Sequence, residues 1–420
     1  MMRKNRTRHT ALALLLSLAG GFALAGLALP AAAQIVTMPD PGKAISPDVA
    51  NPVAEAQKLA QAKNYTEAMA KLNGITKAPL TPYEAYVIDR SRLGIASVSG
   101  DEKTLLEMLP RVIESSETPK DDKFKLMLFA AQSADKHNDY KQALSWTQRY
   151  LQEGGTDVHA HDDLVRYYYL SEDYTRAGQE LKTNLDAVEK AGQTPTELQL
   201  KLLMSIALKQ NDRPGLLAAL EKLVTYYPKK ENWLGLLQTF RSRPNFPERL
   251  SIDFYRLKNE LGLLEGKEYP YFIDLDLRAG YATESKKILD AGYTAKAISD
   301  DTPDIKTLMA QAVKDAAAEA RTIGQTEGDV RKSKDGLGLI NVGYSYVSLG
   351  QFDKGLEMMD QGFKVGGLKR PDEAKLHLGE AYAMAGQKEK AIEAFKTVQG
   401  SDGTAELARY WILSLTSPMH

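Results

Sequence analysis

The feature that most constrains the fold of this 420-residue chain is an internal duplication near its C-terminus. Segments 336–359 and 372–395 carry similar residue types at positions 36 apart, as from 343 to 379. The matched pairs are Gly343 with Gly379, Tyr346 with Tyr382, Gly350-Gln351 with Gly386-Gln387, and Met359 with Phe395. A chain that repeats a unit of this size is expected to stack similar units into an array.

The spacing within each copy predicts two antiparallel helices joined by a short turn. Gly343 and Gly379 fall in mid-helix, where glycine costs about 1 kcal/mol relative to alanine, so we expect a second helix to approach closely there. Gly350 and Gly386 suit the left-handed conformation that ends a helix, and another amphipathic segment begins two or three residues later. Each copy is therefore predicted to be a helical hairpin.

This hairpin resembles the tetratricopeptide repeat, a helix-turn-helix unit of about 34 residues with a small residue and an aromatic residue in its first helix. Further copies match over roughly residues 49–227 and 268–399, and the stretch between them is divergent. The resemblance implies an all-α fold, an α-α superhelix that is a solenoid of antiparallel helix hairpins. It also implies that the partner is a protein or a peptide segment.

The register of the repeats can be followed by the first residue of each predicted second helix. Two of the gaps in this series, from 213 to 282 and from 282 to 352, are each long enough to contain one more unit. We expect the main irregularity in the second gap, as a single long helix frayed near Gly328. The register positions are Tyr65, Glu102, Tyr140, Tyr174, Arg213, Ala282 and Phe352.

These signals divide the chain into six predicted segments. They are a signal peptide at 1–33, a proline-containing flexible linker at 34–48, an N-terminal array of tetratricopeptide-like hairpins at 49–228, divergent helical hairpins at 229–300, a long helix with a connecting segment at 301–335, and a C-terminal pair of repeats with a capping helix at 336–415.

The N-terminal segment has the pattern of an export signal. Four basic residues precede an apolar run at 11–29, and Ala31-Ala32-Ala33 before Gln34 offers a small-x-small cleavage site. We predict cleavage after Ala33 and a periplasmic location. Because an apolar run of this length can also span a bilayer, the alternative is an inner-membrane anchor with the array facing the periplasm.

Charge and cysteine content exclude several classes of partner and chemistry. The net charge is −1, and removal of 1–33, with its four basic and no acidic residues, makes it about −5. A mildly acidic surface argues against nucleic acid and anionic lipid as main partners, so membrane contact is expected only if the N-terminal segment is uncleaved. With no cysteine, the chain has no disulfide, thiolate nucleophile or thiolate metal site.

Motifs for catalysis and metal binding are lacking in the sequence. The densest group of potential ligands is His159-Ala160-His161-Asp162-Asp163, but helical residues two apart point about 200° apart, so these histidines do not share a metal on a helix. Nucleophile-elbow, zinc-protease, phosphate-loop and dinucleotide motifs do not occur. We therefore expect no catalytic residue, no metal, no cofactor and no enzyme activity.

The first helices of stacked hairpins form a concave wall, which is where we expect a protein-binding groove. The helical spacing selects polar and aromatic residues for this wall, and a mixed groove suits a peptide. An ordinary solvated surface is the alternative. On the groove interpretation, Arg166→Ala should change stability by no more than about 0.5 kcal/mol. The candidate groove residues are Arg90, Lys125, Gln132, His159, Asp162, Arg166, Tyr169, Lys201, Tyr344 and Glu380.

Two functional classes remain open. The favoured one is an exported, non-catalytic scaffold that mediates protein–protein interaction in the bacterial cell envelope. The alternative is a repeat protein that supports polysaccharide or glycan binding, or a catalytic site, in envelope or exopolysaccharide biogenesis.

Overall fold

The computed structural model describes residues 43–419, so the predicted signal peptide and most of the predicted linker lie outside the described residues. Within 43–419 the chain contains twenty α-helices, short 3₁₀ turns and no strand. The predicted all-α fold of antiparallel hairpins is confirmed. No helix in this part of the chain is both long enough and apolar enough to cross a bilayer.

The chain forms two compact units, one ending at Ser171 and the other beginning at Glu172. The helices of the first unit are α1 Pro47–Gln61, α2 Tyr65–Asn73, α3 Pro82–Ser99, α4 Glu102–Glu114, α5 Lys120–Lys136, α6 Tyr140–Gln152 and α7 Ala160–Leu170. Those of the second are α8 Tyr174–Lys190, α9 Glu197–Lys209, α10 Arg213–Tyr226, α11 Lys230–Arg241, α12 Ser251–Glu260, α13 Tyr269–Arg278, α14 Ala282–Thr294, α15 Ile305–Ser333, α16 Gly336–Ser348, α17 Phe352–Val365, α18 Pro371–Met384, α19 Lys388–Lys396 and α20 Thr404–Thr416.

The predicted register is confirmed, because all seven register positions are the first residues of helices. Two positions before each of these starts the backbone is left-handed, with φ between 54° and 88°. Glycine and asparagine adopt this conformation at little cost and mark most of the turns in the sequence. The left-handed residues are Lys63, Gly100, Asn138, Glu172, Asn211, Gly280 and Gly350.

The repeat glycines lie where two helices touch, as predicted. A Cβ atom on Gly343 of α16 would lie 2.7 Å from the carbonyl oxygen of Gly355 on α17, so the two backbones are in direct contact. A Cβ atom on Gly379 of α18 would lie 2.4 Å from the ring of Phe395 on α19. Each glycine therefore lets the next helix or its aromatic ring approach closely, and any larger residue would push that neighbour away.

In the irregular stretch between residues 229 and 335, the structure corrects one prediction, the fraying of the long helix. The break at 243–247 separates α11 from α12, in agreement with the divergent hairpin expected there. The long helix expected after it is α15, but the predicted fraying near Gly328 is wrong because α15 continues without interruption to Ser333. Ala312, Ala316 and Ile323 bury one face of this helix along much of its length.

The C-terminal helix α20 packs on α18 and α19, which is the predicted capping position. It also contacts α10 and α12, which the repeat order does not predict. Tyr410 meets the ring of Phe240 edge-on at 5.3 Å, and Arg409 binds Glu221 with N–O distances of 3.0 and 3.2 Å. In a linear array each unit contacts mainly its neighbours. The second unit therefore contains long-range contacts that bring α12 and α18 together.

Candidate functional site

The most unusual feature of the second unit is a buried arginine surrounded by acids, which we call the arginine centre. Arg256 on α12 is only 5% exposed. Its guanidinium donates to both oxygens of Glu284 at 2.9 and 2.7 Å, and to Glu380 at 3.2 Å and Asp253 at 3.3 Å. Asp276 lies 3.7 Å away as a fourth carboxyl group. The arginine centre comprises these five residues.

Two aromatic rings enclose the guanidinium. Its central carbon lies 4.8 Å from the ring centre of Tyr281 and 4.4 Å from that of Tyr344. Both tyrosines are buried. Stacking on aromatic faces favours a guanidinium over an ammonium group, so the pocket is shaped for arginine.

The charged groups come from four helices of the second unit, α12, α13, α14 and α18. One ring, that of Tyr281, comes from the residue just before α14, and the other, that of Tyr344, comes from α16. Asp253 and Arg256 are three residues apart on α12, so they share one helix face. His377 and Glu380 have the same spacing on α18. Asp276 on α13 accepts a hydrogen bond from Ser285 on α14 at 2.9 Å, which fixes the acid between these two helices.

The arginine centre contains more carboxyl groups than cations, and protonation reduces the excess. Burial, followed by the charge of Glu284, raises the pKa of Asp276 well above its usual range. Burial, followed by the charge of Asp253, raises the pKa of Glu380 to about 8. The raised pKa values favour the neutral forms of both acids, which reduces the negative charge buried around Arg256.

His377 joins the arginine centre through Asp253. Its Nε2 lies 3.0 Å from Asp253 Oδ1, and its side chain is 15% exposed. Although burial opposes a charge on His377, the Asp253 carboxylate raises the pKa of the imidazole. Although burial also opposes a charge on Asp253, His377 and then Arg256 hold the pKa of this carboxyl below its usual range. The two residues form a buried ion pair.

Asp253, His377 and Glu380 are also arranged as potential metal ligands. Their donor atoms all lie within 4.8 Å of one another. Glu380 Oε2 receives Arg256, but its Oε1 is buried and has no hydrogen-bond partner. An imidazole and two carboxylates form a donor set that suits first-row divalent ions.

A cleft of about 300 Å³ lies beside the arginine centre. Glu284 and Glu380 line it together with the buried rings of Tyr344 and Trp411. Phe352 and Met384 also line the cleft and are 38% and 40% exposed. The cleft therefore has charged groups among its buried walls and apolar side chains at its surface.

The structure corrects two of the predicted groove residues. Tyr344 and Glu380 are each only 1% exposed, because α16 and α18 turn these faces toward α12 and α14. They do not lie on an open concave surface, although both line the cleft. The structure brings them together around Arg256.

The other groove residues are more accessible. In the first unit, His159 precedes α7 and is exposed, and Lys125 on α5 is also exposed. Arg166 on α7 binds Asp135 on α5 through two N–O contacts of 3.0 and 2.5 Å. In the second unit, Lys201 binds Glu197 at 2.8 Å. Four further residues of the first unit are half-buried, namely Arg90, Gln132, Asp162 and Tyr169.

Arg166 therefore differs from its predicted role as a freely available groove residue. Its side chain is 22% exposed and that of Asp135 is 13% exposed, so the pair is partly buried. This pairing favours a larger loss of stability for Arg166→Ala than the sequence predicts, because the substitution leaves Asp135 without its bidentate partner.

Sequence reasoning missed Asp253, Arg256, Asp276, Glu284 and His377. One local signal was available, because Asp276 shares a helix face with Phe272 and Ile273, which are fully buried. An acid on an apolar helix face indicates a buried partner. The sequence contains no signal for the identity of that partner, since Arg256 lies on a different hairpin.

Comparison with known families identifies the C-terminal hairpins. Residues 343–406 match the family profile described as Tetratricopeptide repeat. This region contains the C-terminal part of α16, all of α17, α18 and α19, and the start of α20. A search of curated proteins found no match.

Solved helical-repeat structures are similar to this chain at low identity. The TPR2AB-domain:pHSP90 complex of yeast Sti1 is 10% identical over 69% of this chain and 98% of that chain, with a TM-score of 0.23. Yeast Tom70 is 11% identical over 87% and 95%, with a TM-score of 0.23. Naa15/Naa10 bound to HypK-THB is 12% identical over 83% and 62%, with a TM-score of 0.28. At TM-scores below 0.5, the fold assignment rests on the helices and on the repeat match.

Proposed function

We propose, because residues 343–406 form tetratricopeptide repeats, that this chain is an exported, non-catalytic scaffold that binds a protein segment in the bacterial cell envelope. Stacked helical repeats generally present extended surfaces for protein–protein interaction. Export is supported by the basic and apolar pattern of residues 1–33 and by the alanines before Gln34.

The observation that carries the binding proposal is the position of Phe352 and Met384. Both belong to the matched repeats, both line the cleft, and both expose more than a third of their surface. Neighbouring exposed apolar side chains are typical of interaction sites. The cleft is at the small end of the range for binding sites, so it suits one or two side chains of an extended segment.

The charges around the cleft indicate the kind of segment that fits. Glu260 and Lys287 are exposed lining residues of opposite charge, and Asn259 adds a half-buried amide. A segment with one large apolar residue flanked by polar residues would bury its apolar side chain against Phe352 and Met384. Its polar neighbours would remain near the charged groups.

A peptide-display selection on the chain from Gln34 to His420 tests this proposal. We expect enriched peptides to share an apolar anchor and to lose at least about tenfold in affinity for Met384→Asp, which corresponds to about 1.4 kcal/mol. The matched control is Val313→Asp, because Val313 is also exposed, at 45%, but lies on α15 and does not line the cleft.

Equal binding to wild type and Met384→Asp would reject the cleft as the binding site. Retention of a polysaccharide by wild type, lost in Met384→Asp, would favour the glycan-binding alternative. The location is tested separately by N-terminal sequencing of the cellular protein. A start at Gln34 in the periplasmic fraction is expected, and an intact N-terminus in the inner-membrane fraction would favour the anchored form.

A further inference from the structure

We propose that Asp253, His377 and Glu380 bind one divalent transition-metal ion, for which Zn²⁺ is the reference. The three donor atoms lie within 4.8 Å of one another, and Asp253 Oδ1 and His377 Nε2 are 3.0 Å apart. This separation is that of the His377–Asp253 ion pair, and it is also close to that of two donors on one small ion, which would take the place of the shared proton. The residues come from α12 and α18, which the packing of the second unit holds together.

The donor chemistry selects the class of ion. One imidazole nitrogen with two carboxylate oxygens suits Zn²⁺ and its neighbours, whereas Ca²⁺ and Mg²⁺ prefer sites of oxygen ligands alone. Three protein ligands leave a fourth position for water or for a group from outside. Because the protein supplies three donors, the site is expected to bind the ion more tightly than a single surface histidine does.

A second observation concerns Glu380, one of the three candidate ligands. Glu380 Oε1 is buried without a hydrogen-bond partner, while Oε2 of the same group is held by Arg256 at 3.2 Å. A buried oxygen without a partner is costly, and a metal ion would satisfy it. Arg256 would then act as an outer-shell group that orients Glu380 and Asp253.

The local charge is compatible with a cation. In the metal-free protein His377 pairs with Asp253 as a cation, and the raised pKa of Glu380 favours its neutral form. A divalent ion would displace the proton on His377 Nε2 and the proton on Glu380, so its two charges would replace the two that leave. Access is available because the His377 side chain is 15% exposed and Glu380 lines the cleft.

Equilibrium dialysis of chelator-treated protein against Zn²⁺ tests the proposal. We expect wild type to bind one Zn²⁺ per chain, and His377→Ala and Glu380→Gln each to raise the Kd by about 10-fold or more. His161→Ala is the matched control, since it removes an exposed histidine from the first unit and should leave the Kd unchanged. Mg²⁺ in excess should not compete.

A Co²⁺ absorption spectrum gives a second readout that uses wild type alone. Binding at the proposed site should produce visible d–d bands of a low-coordinate nitrogen–oxygen site, and Zn²⁺ should remove them. The proposal is overturned if wild type binds no Zn²⁺ at about 100 μM, which is about 100 times a micromolar Kd and would saturate such a site. It is also overturned if His161→Ala weakens binding as much as His377→Ala, or if the Co²⁺ bands are absent.

Discussion

Arg166 in the first unit and Arg256 in the second are both helix residues bound to carboxylates of neighbouring helices, but their surroundings differ. Arg166 has one bidentate partner, Asp135, and a longer contact of 3.8 Å to Asp163. Its side chain is still 22% exposed. Water can therefore solvate part of this ion pair, so either charge can be hydrated when its protein partner is removed.

Arg256 has little access to water and is the central cation for a set of buried acids. Its side chain is 4% exposed, and four carboxyl groups and two aromatic rings surround it. Removing one partner of a buried charge pair costs much more than the pair contributes, because the remaining charge is left uncompensated. The comparison teaches that burial, more than the number of ion-pair contacts, sets how strongly the structure depends on an arginine.

The largest expected effect that tests this comparison is that of Arg256→Ala. The substitution leaves the acids of the arginine centre without their shared cation, so we expect a loss of about 3–5 kcal/mol in the free energy of unfolding. Urea denaturation followed by circular dichroism measures it. Arg278→Ala is the control, because Arg278 is exposed and pairs with Asp274 within its own helix. Equal losses for the two variants would contradict the role of burial.

A smaller effect is expected for Asp276→Asn, and it depends on pH. Since burial and Glu284 raise the pKa of Asp276 above its ordinary value of 3.8, the folded state holds a proton that the unfolded state releases. The contribution of this proton to the free energy of unfolding is fully present below pH 3.8, and it is lost as the pH rises through the pKa of Asp276 in the folded state. Asparagine carries no such proton, so the variant should lose less stability than wild type between pH 5 and pH 8. Parallel urea midpoints across that pH range would show that Asp276 is not protonated in the folded protein.

Arg166→Ala tests the partly exposed arginine of the comparison. We expect a loss of about 1–2 kcal/mol, because Asp135 is left partly buried without its charge-assisted hydrogen bonds. A double-mutant cycle with Asp135→Asn should yield a coupling energy above about 0.5 kcal/mol. A loss as large as that of Arg256→Ala would mean that partial exposure does not protect the structure. Additive single effects would show that the two side chains do not interact.

The smallest effect is expected for Lys125→Ala in the first unit. The side chain of Lys125 is 73% exposed, and its 3.7 Å contact with Asp122 lies within one helix. Exposed pairs of this kind contribute little, so stability should change by less than about 0.5 kcal/mol. Thermal unfolding of the variant beside wild type checks this, and a loss above 1 kcal/mol, on the order of a buried hydrogen bond, would contradict it.

The hairpins could be predicted from sequence because their signals are local. A left-handed residue two positions before a helix restricts the backbone to types such as glycine and asparagine, and these are visible in the sequence. Gly343 and Gly379 also signal close packing inside their own hairpins. The fraying predicted at Gly328 failed because contacts hold the helix on both sides of this glycine. Val330 packs on the cluster that contains Ile323, and Glu327 binds Lys354 at 2.7 Å, which outweighs the low helix propensity of one glycine.

The candidate site was only partly predictable. Helical spacing identified Tyr344 and Glu380 as functional candidates but placed them on an open wall. Their burial depends on α12 and α14 covering those faces, and repeat spacing contains no information about this packing. Arg166 was placed on the expected helix, but its pairing with Asp135 depends on how α5 and α7 approach each other.

The sequence by itself determined the all-helical hairpins, their register and the glycine contacts, since these arise from interactions between residues at most a few tens of positions apart. Only the tertiary structure decided the arginine centre and the cleft. Asp253 and His377 are 124 residues apart and meet because α18 packs near α12, where α20 also returns to the middle of the second unit. Hydrophobic packing sets that arrangement as a property of the whole unit, and the buried charges then acquire pKa values that no residue has in isolation.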